Sequence, residues 1–121
     1  MVTEYKARSR VNDGLLSFLS DNECSEIEVD LLRFMGRHPN AKLSFYAITK
    51  AFRISTADLG NALMALVERG ILVHRLDDNG LVTYSLSADE NIRACIQNLA
   101  FLDWSAAMAL KNELKGRMAC Y

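Results

Sequence analysis

Apolar positions recur with a helical period over most of this chain and change to a strand-like pattern over one short stretch. From Ser25 onward, Ile27, Leu31, Phe34 and Met35 fall at i, i+4, i+7 and i+8, and Ser25-x-x-Glu28 supplies a capping box. The pattern predicts a core helix that Gly36 and Pro39 bring to an end. Beyond Pro39-Asn40, the residues Leu43, Tyr46, Ala47, Ile48 and Ala51 fit a short helix opened by Ser44 and closing near Phe52-Arg53. Ser55-x-x-Asp58 reads as a second capping box. Leu59, Ala62, Leu63, Leu66 and Val67 then form one apolar stripe ending at Gly70, the expected left-handed C-cap.

The period changes after Gly70. Ile71-Leu72-Val73-His74-Arg75-Leu76 and Leu81-Val82-Thr83-Tyr84-Ser85-Leu86 flank Asp77-Asp78-Asn79-Gly80, which predicts a hairpin closed by an Asn-Gly turn. A short helix is expected around Asp13 to Leu19 behind a basic arm carrying Lys6, Arg8 and Arg10. From Asp89 to about Arg117 the composition is helical throughout, which predicts one long C-terminal helix. The chain therefore divides into an N-terminal arm and short helix (1–22), a central domain (23–87) and a C-terminal helix (88–121).

With 121 residues, 50% of them hydrophobic, 24% charged and one proline, the chain has the composition of a single globular domain. Collagenous, disordered and disulfide-stapled classes are excluded. No apolar run approaches the roughly 20 residues that a membrane span needs, and the first residues lack a signal-peptide pattern, so a cytoplasmic location is expected. Cys24, Cys95 and Cys120 are odd in number and never form a C-x-x-C pair, so free thiols are expected.

The order of helix, helix, capped helix, Gly-Ile-Leu and charged-turn hairpin resembles the winged helix-turn-helix domain, most closely bacterial regulators of the MarR and PadR type. The segment that carries the resemblance is Ile54-Ser55-Thr56-Ala57-Asp58-Leu59-Gly60-Asn61-Ala62-Leu63-Met64-Ala65-Leu66-Val67-Glu68-Arg69-Gly70-Ile71-Leu72. The likeness covers about residues 24 to 86. It implies a mainly α fold with a small β-hairpin wing (α+β), a recognition helix at 55–69, a wing at 71–86 and a long C-terminal dimerisation helix. The function it implies is transcriptional regulation by a homodimer on duplex DNA.

A helix in a major groove presents its N-terminal half to base edges while its other face packs on the domain. Thr56, Ala57, Gly60, Asn61 and Met64 lie off the apolar stripe and are the candidate readers. Asn61 can pair bidentately with adenine, Thr56 can bond a base or phosphate, and Gly60 permits close approach of the helix backbone. Lys42, Lys50, Arg53, Arg69 and Arg75 are the candidate phosphate contacts; set against Asp58 and Glu68, they give residues 42–76 a net charge of +3 in a chain of net charge −1. His74, beside Arg75, is a further phosphate candidate. Asp77 and Asp78 occupy the wing tip where the family usually carries a basic residue, and the recognition helix has no Lys or Arg before Arg69. Low non-specific affinity with a steep salt dependence is expected.

His38, beside Pro39, is placed to interact with a helix C-terminus. No other His or Cys stands near it at ligand spacing, so no metal site is expected. A glycine-rich phosphate loop, a Gly-x-Ser-x-Gly elbow and a flanked carboxylate pair are all missing from the sequence, and neither an enzymatic activity nor a cofactor is expected.

Apolar residues of the C-terminal segment fall on every side of a helix, which requires burial on more than one face. A second copy of the chain is the simplest partner. Ile96, Leu99, Phe101, Trp104 and Met108 are the candidate interface residues, centred on 101–108. The alternative is a winged-helix module without strong DNA binding that joins a protein partner through this helix and the acidic wing.

Overall fold

The computed structural model describes residues 14–119, with side chains described for residues 14–116. The basic arm, Asp13 and Cys120 lie outside the described residues. Residues 14–21 form α1, followed by α2 (Glu26–Arg37), β1 (Leu43–Ser44), α3 (Phe45–Ala51) and α4 (Thr56–Glu68). Next come β2 (Leu72–Leu76), β3 (Val82–Leu86), α5 (Glu90–Phe101) and α6 (Trp104–Ala119).

The capping chemistry accounts for the helix starts. At α2 both arms of the box are made: Ser25 Oγ accepts from the Glu28 amide at 3.3 Å, and Glu28 Oε2 accepts from the Ser25 amide at 3.2 Å. Ser44 opens α3 by accepting from the Ala47 amide, and Ser55 opens α4 by accepting from the Asp58 amide at 3.1 Å. Gly70 ends the α4 turn at φ +76°, with the Ile71 amide returning to the Leu66 carbonyl.

The strands form one antiparallel sheet in the order β1-β3-β2, with Leu43 opposite Tyr84, and Leu72 opposite Leu86. Leu43, expected in the second helix, is instead a strand residue, because Leu43-Ser44 pairs with Thr83-Tyr84 of β3 before α3 begins. This is winged-helix topology: helix-turn-helix α3-α4 followed by the β2-β3 wing.

The core runs along α2. Val29, Leu31, Leu32 and Met35 are fully buried against Ile96 and Leu99 of α5, the α4 stripe Leu59-Leu63-Leu66, and Leu15, Leu16 and Leu19 of α1. Gly36 is not a helix stop. It lies inside α2, is buried and faces α5, and the helix continues to Arg37 with His38 as its C-cap. His38 also meets Phe34 edge to face at 5.4 Å between ring centroids.

The single long C-terminal helix is corrected to two. Leu102 is extended (φ −63°, ψ 139°) and Asp103 restarts the chain, its side chain accepting from the Ala106 amide at 2.8 Å and its carbonyl from the Ala107 amide at 2.9 Å. Arg33 of α2 takes the carbonyls freed at the break, donating to Leu99 O at 3.3 Å and Leu102 O at 2.6 Å. Beyond the break α6 folds back on α2, where Lys111 pairs with Asp30 and Lys115 with Glu26. Among the described residues no helix is long and apolar enough to cross a membrane.

Candidate nucleic-acid interface

Helix α4 has a buried face and an exposed one. At 3.6 residues per turn, Leu59, Ala62, Leu63 and Leu66 fall within an arc of about 100°, and Thr56, Ala57, Gly60, Asn61 and Met64 within about 140° on the other side. The first set is buried; of the second, Thr56, Ala57, Asn61 and Met64 are exposed and Gly60 is half-exposed. An added Cβ at Gly60 would meet nothing within 4 Å. The fold therefore gives no packing reason for a glycine there, although glycine weakens a helix interior. Glu68 shares the exposed arc at its C-terminal end and brings negative charge to it.

The cations divide. Lys42, Lys50, Arg53 and Arg75 are exposed. Arg69 is exposed as well but has a different commitment: its Nη1 donates to Glu28 Oε2 at 2.7 Å, and that carboxylate side chain is only 8% exposed. Tyr46, which the sequence reading placed in the apolar pattern of α3, is 67% exposed and carries the Lys50 ammonium 5.0 Å from its ring centroid. An exposed Tyr four residues before a Lys on one helix was the available signal. Arg93 is spent inside the fold, donating to Pro39 O at 3.0 Å and Asn40 Oδ1 at 2.8 Å.

In the wing, His74 is exposed and lies opposite Tyr84 with ring centroids 6.3 Å apart. The tip is built on Asp77, whose Oδ1 accepts from the amides of Asn79 at 2.9 Å and Leu81 at 2.8 Å, while Gly80 turns the chain at φ +83°. Leu76, Leu81 and Val82 flank this acidic tip and are exposed.

The five residues expected at a dimer interface do not share one environment. Phe101 and Trp104 are 84% and 73% exposed and bracket the α5-α6 break, with Met108 half-buried one turn further on. Ile96 and Leu99 belong to the core of the single chain, at 0% and 1% exposure, because α5 turns that face onto α2. They are withdrawn from the interface set.

The thiols described are poorly suited to chemistry. Burial first, and the Glu28 carboxylate second, push the Cys24 thiol up to about 12, and burial raises Cys95 as well. Among the described residues no group of His, Cys, Asp and Glu is arranged to hold a metal ion.

No protein-family model and no curated protein matches the chain. Solved structures do. A mutant of MepR from S. aureus, bound to an oligodeoxyribonucleotide, is similar at a TM-score of 0.57 and 11% identity, over 98% of this chain and 95% of that one. The reduced form of MarR from E. coli is similar at a TM-score of 0.54 and 16% identity, over 96% of this chain and 82% of that one. From α1 to α6 the chain shares the winged-helix architecture of these two proteins.

Proposed function

We propose that this protein is a DNA-binding transcriptional regulator that acts as a homodimer, with α4 in the major groove of duplex DNA. The observation that carries the reading is the outward arc of α4. Thr56, Ala57, Gly60, Asn61 and Met64 lie together on the side away from the core, and none of their side chains is used inside the fold. That division of faces is what major-groove reading requires. Lys42, Lys50, Arg53 and Arg75 supply the phosphate contacts, and Tyr46 joins Lys50 on the exposed side of α3. The MepR structure, bound to an oligodeoxyribonucleotide, supports the reading by analogy of architecture. Phe101, Trp104 and Met108 form the centre of the dimer contact, where two exposed aromatic side chains gain most from a second copy.

The test is binding to random-sequence duplex DNA at about 50 mM and about 200 mM salt, with the solution mass measured in the same buffers. The four proposed phosphate contacts per chain, eight in a dimer, predict a loss of about 10³- to 10⁵-fold in affinity over that range. A dimer that binds no DNA at the lower salt overturns the reading. The second reading, a protein-interaction module, then gains, and the acidic, leucine-flanked wing tip is the observation in its favour.

A further inference from the structure

We propose that Glu28 and Arg69 form a strut that sets the orientation of the recognition helix, so that Arg69 acts on DNA binding as a positioning residue instead of a phosphate contact. The inference rests on the DNA-binding reading. Three groups meet at one buried oxygen: Glu28 Oε2 accepts from Arg69 Nη1 at 2.7 Å and from the Ser25 amide at 3.2 Å. The N-terminus of α2 is thus tied to the residue that caps α4, although the two lie 41 positions apart in sequence.

What the strut adds is direction. The α4 stripe of Leu59, Ala62, Leu63 and Leu66 holds the helix to the core, but the apolar attraction itself is non-directional. Among the described residues no other side-chain hydrogen bond or ion pair joins α4 or its caps to another element. The carboxylate end of the pair is buried, at 8% side-chain exposure, and the guanidinium end is 30% exposed, so the contact is directional at Glu28 and reached from the surface by Arg69.

The lever is long. With 13 residues, α4 extends about 20 Å, so a tilt of about 10° at the Arg69 end displaces the Thr56 end by about 3 Å, on the order of one hydrogen-bond length. Arg69 also stands immediately before the left-handed Gly70, where the chain leaves the recognition helix for the wing. A single anchor therefore fixes the junction of both DNA-facing elements.

The experiment compares Arg69→Met, Glu28→Gln and the double variant, in the whole chain, on the same random-sequence duplex. Glu28→Gln keeps the size of the side chain and an acceptor for the Ser25 amide, and is the variant most tolerant for folding; urea unfolding of each protein separates loss of fold from loss of orientation. Each single variant is expected to weaken binding by about fivefold or more, the lower end of site-to-site coupling. The salt slope stays unchanged, and the double variant is no worse than either single one. Amide exchange in the last turn of α4 speeds up in both while α5 is unaffected. Loss of about 0.9 from the salt slope in Arg69→Met, with Glu28→Gln binding normally, makes Arg69 a phosphate contact and overturns the proposal. Should the unmodified protein bind no DNA, the DNA reading fails on its own, and unchanged α4 exchange in both variants overturns the strut as well.

Discussion

A Cβ on Gly36 would stand 2.6 Å from the carbonyl oxygen of Ile96 and 2.8 Å from the Cβ of Ala100. Backbone meets backbone there, so α2 and α5 cannot accept a methyl group without moving apart. Gly36→Ala is expected to lower the unfolding free energy by about 1–3 kcal/mol, the range for overpacking, even though alanine is the better helix former. Urea denaturation measures it; an unchanged or higher stability would mean that the two helices separate freely.

Gly60 should respond with the opposite sign. Its surroundings are open, so Gly60→Ala should stabilise α4 by up to about 1 kcal/mol. If the helix backbone approaches DNA there, the same substitution weakens binding. A rise in melting temperature together with a rise in the dissociation constant is the expected pairing, and stabilisation with unchanged DNA affinity would remove Gly60 from the interface.

The roles proposed for Asn61, base reading, and for Lys50, phosphate holding, can be told apart by substitution. Asn61→Ala should narrow the difference between preferred and random sequences more than it lowers total affinity. Lys50→Ala should weaken all sequences alike and flatten the salt slope by about one contact. Equal loss of sequence preference from both would contradict these roles.

Trp104→Asp introduces a charge where the dimer reading places a desolvated aromatic contact. Light scattering should report monomer or aggregate in place of dimer. A dimer of unchanged mass would place the contact elsewhere.

Cys24 gives a pH prediction with a definite sign. Its thiol ordinarily titrates at 9.0 and in the fold at about 12, so the unfolded chain ionises first. The contribution of Cys24 to stability is complete below pH 9 and is lost as pH rises from 9 to about 12. Iodoacetamide at pH 8 should leave Cys24 unmodified in the native protein and label it in urea, read by mass spectrometry; native labelling would show that the site opens.

Local chemistry was legible in the sequence wherever a short signal acts on its own. Ser25, Ser44 and Ser55 cap the helices they are expected to cap, Gly70 is left-handed, and the hairpin forms where the sequence puts it, but its turn is centred on Asp78-Asn79, with the Gly80 amide donating to the Asp77 carbonyl at 3.0 Å and only Gly80 left-handed. Failures arose where one residue type serves two purposes. Gly36 reads as a helix stop because glycine is a weak helix former, but its lack of a side chain is used for close packing. Asp103 caps α6, yet a lone Asp inside a long run of helix formers does not by itself signal a helix start. Arg69 carries a charge suited to phosphate, and only the fold brings Glu28 beside it. Ile96, Leu99, Phe101 and Trp104 all belong to one largely apolar stretch, and it is the packing of α5 on α2 that sends the first two inward and leaves the other two exposed.

The turn at Asp77 limits how this wing can be changed. Its carboxylate holds the amides of Asn79 and Leu81, so replacing Asp77 with lysine would add a cation at the tip and dismantle the turn that presents it. Asp78 is exposed and makes no such bond among the described residues. A route from this acidic wing to a phosphate-gripping one, in evolution or by engineering, therefore runs through position 78, with Asp77 kept as the part that folds.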